Sequence, residues 1–131
     1  MLDRVPPQNI EAEQSVLGAI LIEQSAIAKI SDILQPEDFY REAHKLVYRS
    51  AMTLFERGEA IDFITVIDML RREEALERAG GISYITSLAN GVPTAANIVF
   101  HAKIVQEKSL LRRLIHAATD IAAMGYAETE E

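Results

Sequence analysis

Residues 96–124, ANIVFHAKIVQEKSLLRRLIHAATDIAAM, decide the fold. The stretch holds neither proline nor glycine, and Gly125 follows it. Ile98, Val99, Phe100, Ile104, Val105, Leu110, Leu111, Leu114, Ile115, Ala118 and Ile121 recur at steps that keep returning to the same sides of a helix. At 1.5 Å per residue the expected helix is a rod of roughly 40 Å. A helix leaning on one neighbour needs an apolar face only about 100° wide, and this one is apolar on more than one side. A head of short helices cannot reach along the whole rod, so the pattern asks for a second partner. A second copy of the chain, packed through a two-fold contact, is the simplest one. The candidate contact residues are Leu110, Leu111, Leu114, Ala118 and Ile121, and the small residues Ala117, Ala118, Ala122 and Ala123 would let another helix approach closely.

Upstream, residues 1–95 read as a helical head. Pro6 and Pro7 keep the first residues extended. Asn9 is a good helix N-cap, and Glu11 and Glu13 place negative charge where the helix dipole favours it. Ala12, Val16, Leu17, Ile20 and Leu21 carry that first helix to about Ile22. A short second helix is expected over Ser25–Leu34, broken by Pro36. His44, Val47, Tyr48, Ala51, Leu54 and Phe55 predict a third, closed by Gly58. Ile61–Ile67 is rich in strand formers. It does not alternate with polar residues and runs on into Leu70-Arg71-Arg72-Glu73-Glu74, so a helix capped by Asp62 or Thr65 is preferred. Gly80-Gly81 makes a turn, Ile82 to Ala89 a short helix, and Gly91-Val92-Pro93 a break before the rod. The expected class is therefore all-α, a globular head of about five to six short helices (1–95) followed by one long helix (96–131).

The chain has 131 residues, the size of one domain, and 49% of them are hydrophobic, enough for a packed core. It has no cysteine, which removes disulfides, thiolate metal sites and cysteine nucleophiles. No apolar run reaches membrane-spanning length, and the first residues do not read as a signal peptide, so a cytoplasmic setting without a membrane is expected. The net charge of −7 makes direct nucleic-acid binding an unpromising role, because Lys and Arg on phosphates supply most of that affinity.

Catalytic readings find little support. No glycine precedes a lysine, so there is no phosphate loop. Gly80-Gly81 could cradle an anion, or simply make a tight turn. His44 has Tyr40 and Tyr48 at the offsets where a helical metal site wants ligands, and His116 has only Asp120. No metal or cofactor is expected. Glu11/Glu13, Glu37/Asp38 and Glu73/Glu74 are too close in sequence to face one another on a helix and read as solvated faces. Lys103, Lys108, Arg112, Arg113 and His116 make the rod locally basic, either as a contact for an acidic partner or as a solvated face. A small hydrolase would need a polar pocket that the sequence does not display. A stand-alone helical dimerisation or adaptor domain is the rival non-catalytic reading.

Several motifs taken together resemble one family. Pro6-Pro7-Gln8-Asn9-Ile10-Glu11-Ala12-Glu13-Gln14-Ser15-Val16-Leu17-Gly18-Ala19 is similar to the opening of bacterial replicative DNA helicases of the DnaB type. Phe39-Tyr40 with His44 and Tyr48, Gly58 with Asp62 and Thr65-Val66, and Gly80-Gly81 with Tyr84 follow in the same order. So do Pro93-Thr94-Ala95-Ala96-Asn97 and Arg112-Arg113-Leu114-Ile115. The resemblance implies an N-terminal domain whose long helix begins a helical hairpin. It implies a dimer for this domain and a hexamer for the parent, with a collar that docks the C-terminal domain of primase and possibly a helicase loader. ATP and Mg would belong to a motor domain that this chain lacks. Glu11, Tyr84 and Ile115 lie in the matching segments and are the implied primase-contact positions, Tyr84 as an exposed residue off the Ile82/Ile85/Leu88 stripe.

Overall fold

The computed structural model describes residues 4–128, and among them all regular structure is helical. The α-helices are α1 (Ile10–Ile22), α2 (Glu42–Glu56), α3 (Phe63–Arg72), α4 (Gly81–Asn90) and α5 (Ile98–Tyr126). Two short 3-10 segments, Gln24–Lys29 and Pro36–Asp38, connect α1 to α2. The expected all-α class, a head of short helices followed by one long helix, is what forms.

The first helix sits in the middle. Asn9 caps it by accepting a bond from the Ala12 N–H at 2.9 Å. Val16, Leu17, Ala19, Ile20 and Leu21 are all buried, because α2, α4 and α5 pack around them. Gly18 allows the closest approach: a Cβ there would lie 2.3 Å from the Leu88 carbonyl oxygen of α4. Tyr48 of α2 anchors the far side of this core. Its hydroxyl donates to the Leu34 carbonyl at 2.9 Å, and its ring packs on Phe39 with centroids 4.9 Å apart. Burial, with the Asp38 carboxylate adding to it, pushes the Tyr48 phenol well above the usual tyrosine range.

The boundaries follow local chemistry. Asp62 and Thr65 exchange side-chain and backbone bonds at 2.9 Å, a capping box that starts α3 as a helix where β-branched residues had kept a strand in play. After α2, Gly58 adopts φ 69° while the Glu59 N–H returns to the Leu54 carbonyl. Gly80 and Gly81 both have positive φ, 102° and 82°, and turn the chain into α4.

Two boundaries differ from expectation. The segment expected to be a helix over Ser25–Leu34 is a 3-10 turn over Gln24–Lys29 followed by irregular turns. Its apolar residues Ile27, Ile30 and Leu34 are fully buried, and the tight bonds of Ala26 N–H to Glu23 and Ile30 N–H to Ile27 let a short piece bury them while the chain reverses. Gly125 does not end α5, which runs on to Tyr126. That glycine lies inside a solvent-exposed turn, where helical φ and ψ cost it only about 1 kcal/mol.

Candidate docking surface

A buried chain of hydrogen bonds joins α1, α2 and α4 in the head. Glu13 is almost fully buried, and one carboxylate oxygen accepts the Tyr40 backbone N–H at 2.7 Å. The other lies 2.7 Å from His44 Nδ1, and His44 Nε2 lies 2.6 Å from the Tyr84 hydroxyl. In the neutral imidazole with Nδ1–H donating to the carboxylate, Nε2 accepts the Tyr84 O–H. The Tyr84 oxygen in turn accepts from Gln14 Nε2 at 3.1 Å. The imidazole and phenol rings stack with an interplanar angle of 10°. Burying these groups would be costly unpaired. Among the described residues every buried side-chain nitrogen and oxygen has a partner.

The order carboxylate, imidazole, hydroxyl matches that of a hydrolase triad, but His44 has no exposed surface on which a substrate could sit. What the chain of bonds can do is hold the Tyr84 ring in one place. Tyr84 is therefore half-buried and tied through its hydroxyl, where the sequence had suggested an exposed residue. Glu13, read as a solvated carboxylate, is a core residue instead. The missed signal is its register: Val16, Leu17 and Ile20 follow it at three, four and seven residues, so it lies on the buried stripe of α1.

A second anchor sits midway along α5. The Arg112 guanidinium donates to the Pro7 and Asp38 carbonyls, each at 2.7 Å, and lies over the Tyr40 ring at 5.4 Å. Ser109 donates to the Asp38 carboxylate at 2.7 Å. Beyond Arg112 the helix leaves the head, and every described residue from Arg113 onward is exposed. Leu110, Leu114 and Ile121 are 57%, 62% and 67% exposed, and Leu111 and Ala118 are exposed too. All five candidate contact residues are thus on open surface. Phe100, in the head half of α5, is 70% exposed and was counted in the apolar excess but not among the candidate contact residues.

Among the described residues no cluster of three potential metal ligands exists, and no helix is long and apolar enough to cross a membrane.

Residues 5–107 match the family model described as the DnaB-like helicase N terminal domain. The chain belongs to this family. It is 55% identical over 129 residues to the replicative DNA helicase DnaC of Bacillus subtilis, covering 98% of this chain and 28% of that protein. It is 50% identical, with the same coverage, to the replicative DNA helicase DnaB of Geobacillus stearothermophilus. The chain thus spans little more than a quarter of these relatives. Its fold superposes on the crystal structure of the N-terminal domain of DnaB helicase from Mycobacterium tuberculosis with a TM-score of 0.91 at 49% identity, covering 94% of this chain and 87% of that one. A DnaB-like replicative helicase, whose structure was described with its interactions with primase, matches with a TM-score of 0.78 at 33% identity, over 88% of this chain and 26% of that one.

In this DnaB-like N-terminal domain the three positions singled out for primase lie in different settings. Glu11 is exposed and lines a cleft of about 340 Å³ between α1 and α4, with Gln14, Ser15 and Ser87. Gln14 links that cleft to Tyr84. Ile115 is 51% exposed and lines a separate groove of about 400 Å³ between α5 and the extended segment holding Val5 and Pro6.

Proposed function

We propose that this chain is the non-catalytic assembly and docking domain of a replicative hexameric DNA helicase, whose ATP-driven unwinding resides in another part of the parent protein. The observation that carries this reading is the outer half of α5, where Leu114, Ile115, Ile121, Met124 and Tyr126 are all more than half exposed. Such a surface is the signature of a protein contact. Self-association through it, as a dimer for this domain and within a hexamer for the parent, would set the geometry of the collar. The head would then recruit the C-terminal domain of primase through Glu11, Tyr84 and Ile115, and could also receive a helicase loader. The phosphate loop that would hold ATP and Mg is assigned to that other part of the parent protein, since no glycine here precedes a lysine. The net charge of −7 argues against direct contact with DNA. The setting is the cytosol.

The test is titration of this chain with the purified C-terminal domain of a bacterial primase, together with light scattering over a dilution series. Saturable binding weakened by Glu11→Ala and Ile115→Ala, with circular dichroism unchanged, is the expected result. No binding, and a monomer at every concentration, would overturn the reading. A free-standing adaptor unrelated to replication fits the sequence less well, because 98% of the chain aligns with replicative helicases at 50–55% identity.

A further inference from the structure

The bonds among Glu13, His44, Tyr84 and Gln14 have a direction, and each link fixes the next. The Tyr40 backbone N–H can only donate, so the Glu13 oxygen that receives it at 2.7 Å must be an acceptor. The second Glu13 oxygen takes the proton of His44 Nδ1 at 2.7 Å, which leaves Nε2 to accept. Nε2 takes the Tyr84 hydroxyl proton at 2.6 Å. With its one proton spent, the Tyr84 oxygen can only accept from Gln14, whose amide nitrogen therefore turns towards it, at 3.1 Å. The carbonyl oxygen Oε1 of Gln14 is left over. It has no partner among the described residues and is therefore open to solvent, since no buried side-chain oxygen there lacks one. Gln14 lines the cleft of about 340 Å³ between α1 and α4.

The other polar groups of that cleft have the same character. Ser87 spends its hydroxyl proton on the Tyr84 carbonyl at 2.6 Å and keeps its lone pairs free. Glu11 adds an exposed carboxylate. Ser15 adds a hydroxyl that can serve either role. Ser87, Leu88 and Gly91 bring to the wall the C-terminal end of α4, the negative end of its dipole. We propose that Glu13 and His44 are positioning residues that, through Tyr84 and Gln14, set this cleft to accept hydrogen bonds, and so select a cationic donor from a partner protein, a guanidinium or an ammonium group. This rests on the docking reading and goes beyond it in giving the cleft its chemistry and in extending the site to two buried residues that no partner touches. The opposite tautomer would reverse every link. Nε2–H would donate to Tyr84, Tyr84 would donate to Gln14 Oε1, and Gln14 would present its NH2 group to the cleft, where it would oppose a cation.

Glu13→Gln tests the relay with little change of shape. The carboxamide must turn its oxygen to the Tyr40 N–H, so its NH2 group donates to His44 Nδ1 and the tautomer inverts. In 15N-labelled protein the imidazole nitrogen shifts report which nitrogen carries the proton. The parent chain should show a protonated Nδ1 and a bare Nε2, and Glu13→Gln the reverse. With the purified C-terminal domain of a bacterial primase as the partner, Glu13→Gln should weaken binding about tenfold, the loss of one bond to a charged donor. Glu11→Gln, which removes charge and keeps shape, should weaken it too, and undiminished binding there would overturn the cationic assignment. Tyr84→Phe cuts the relay between His44 and Gln14 and stands in if Glu13→Gln fails to fold, as circular dichroism would show. His44 should then keep its Nδ1 proton, because the carboxylate sets it, while binding weakens. Protons on both His44 nitrogens of the parent chain, or on Nε2 alone, would overturn the proposal. So would a binding loss in Glu13→Gln without inversion, which would leave Glu13 a merely structural role. Binding that is equal in the parent, Glu13→Gln and Tyr84→Phe would overturn the relay and leave the docking reading intact. No binding to the parent chain would remove both.

Discussion

Ile98, Ala102, Val105 and Ser109, in the first half of α5, are at most 4% exposed, whereas Leu114, Ile115, Ile121 and Met124, in the second, are all more than half exposed. The two halves form one continuous helix with similar apolar residues. The first half belongs to the core of the head, and Arg112 marks the point where the head lets go. Beyond it, apolar side chains are exposed among the described residues, the kind of surface that marks a contact site. Helix-forming pattern and contribution to the fold are therefore separate properties, and in α5 they part most clearly beyond Arg112.

The sharpest way to break this comparison is to truncate each half in turn. Ile98→Ala should lower unfolding free energy by about 2–5 kcal/mol, the usual result for a fully buried aliphatic residue. Urea denaturation measures it, and a loss under about 1 kcal/mol would mean that the first half is not part of the core. Arg112→Ala tests the junction. It removes two bonds from a charged donor to carbonyl oxygens and should cost about 2 kcal/mol. Arg112→Lys should recover only part of that, because an ammonium cannot reproduce the planar fork.

Alkali gives a milder perturbation of the head alone. The phenol of Tyr48 is raised when folded, so the folded state holds its proton where the unfolded chain releases it. The stability this confers is complete below about pH 10, the ordinary tyrosine value, and declines as pH rises above it. Tyr48→Phe should lose about 1 kcal/mol at neutral pH through the missing bond to Leu34, yet show a flatter decline in alkali. A decline as steep as that of the parent chain would assign the alkaline loss to other groups. The smallest effect is expected at the far end of the rod. Ile121→Ala, measured at a concentration where the chain is monomeric, should change stability by less than about 0.5 kcal/mol.

Much of the architecture was legible because helix caps and periodicity are local. Asn9, Asp62 with Thr65, Gly58 and Gly80-Gly81 mark where helices begin and end, through bonds reaching only a few residues. The segment after α1 was less legible. Ile27, Ile30 and Leu34 suit an α-helix or a 3-10 turn equally well, and tertiary burial chose the turn. The site was legible in part. The apolar excess of the rod announced an open surface. The Glu13–His44–Tyr84 chain did not show, because it joins positions 31 and 40 residues apart that only the packing of α1, α2 and α4 brings together. Phe100 was counted in the apolar excess but not among the candidate contact residues for a related reason: which side of a helix is covered depends on where the head sits, and sequence periodicity does not say that.

Hydrogen exchange along α5, followed across a dilution series, tests the central claim most directly. At low concentration the amides of the first half should be protected to the level of global unfolding, while those from Arg113 to Tyr126 exchange through local fraying. As concentration rises, protection should increase in the second half and remain constant in the first. A second half whose exchange is independent of concentration would contradict the account, because its apolar surface would then have no partner in a second copy of the chain.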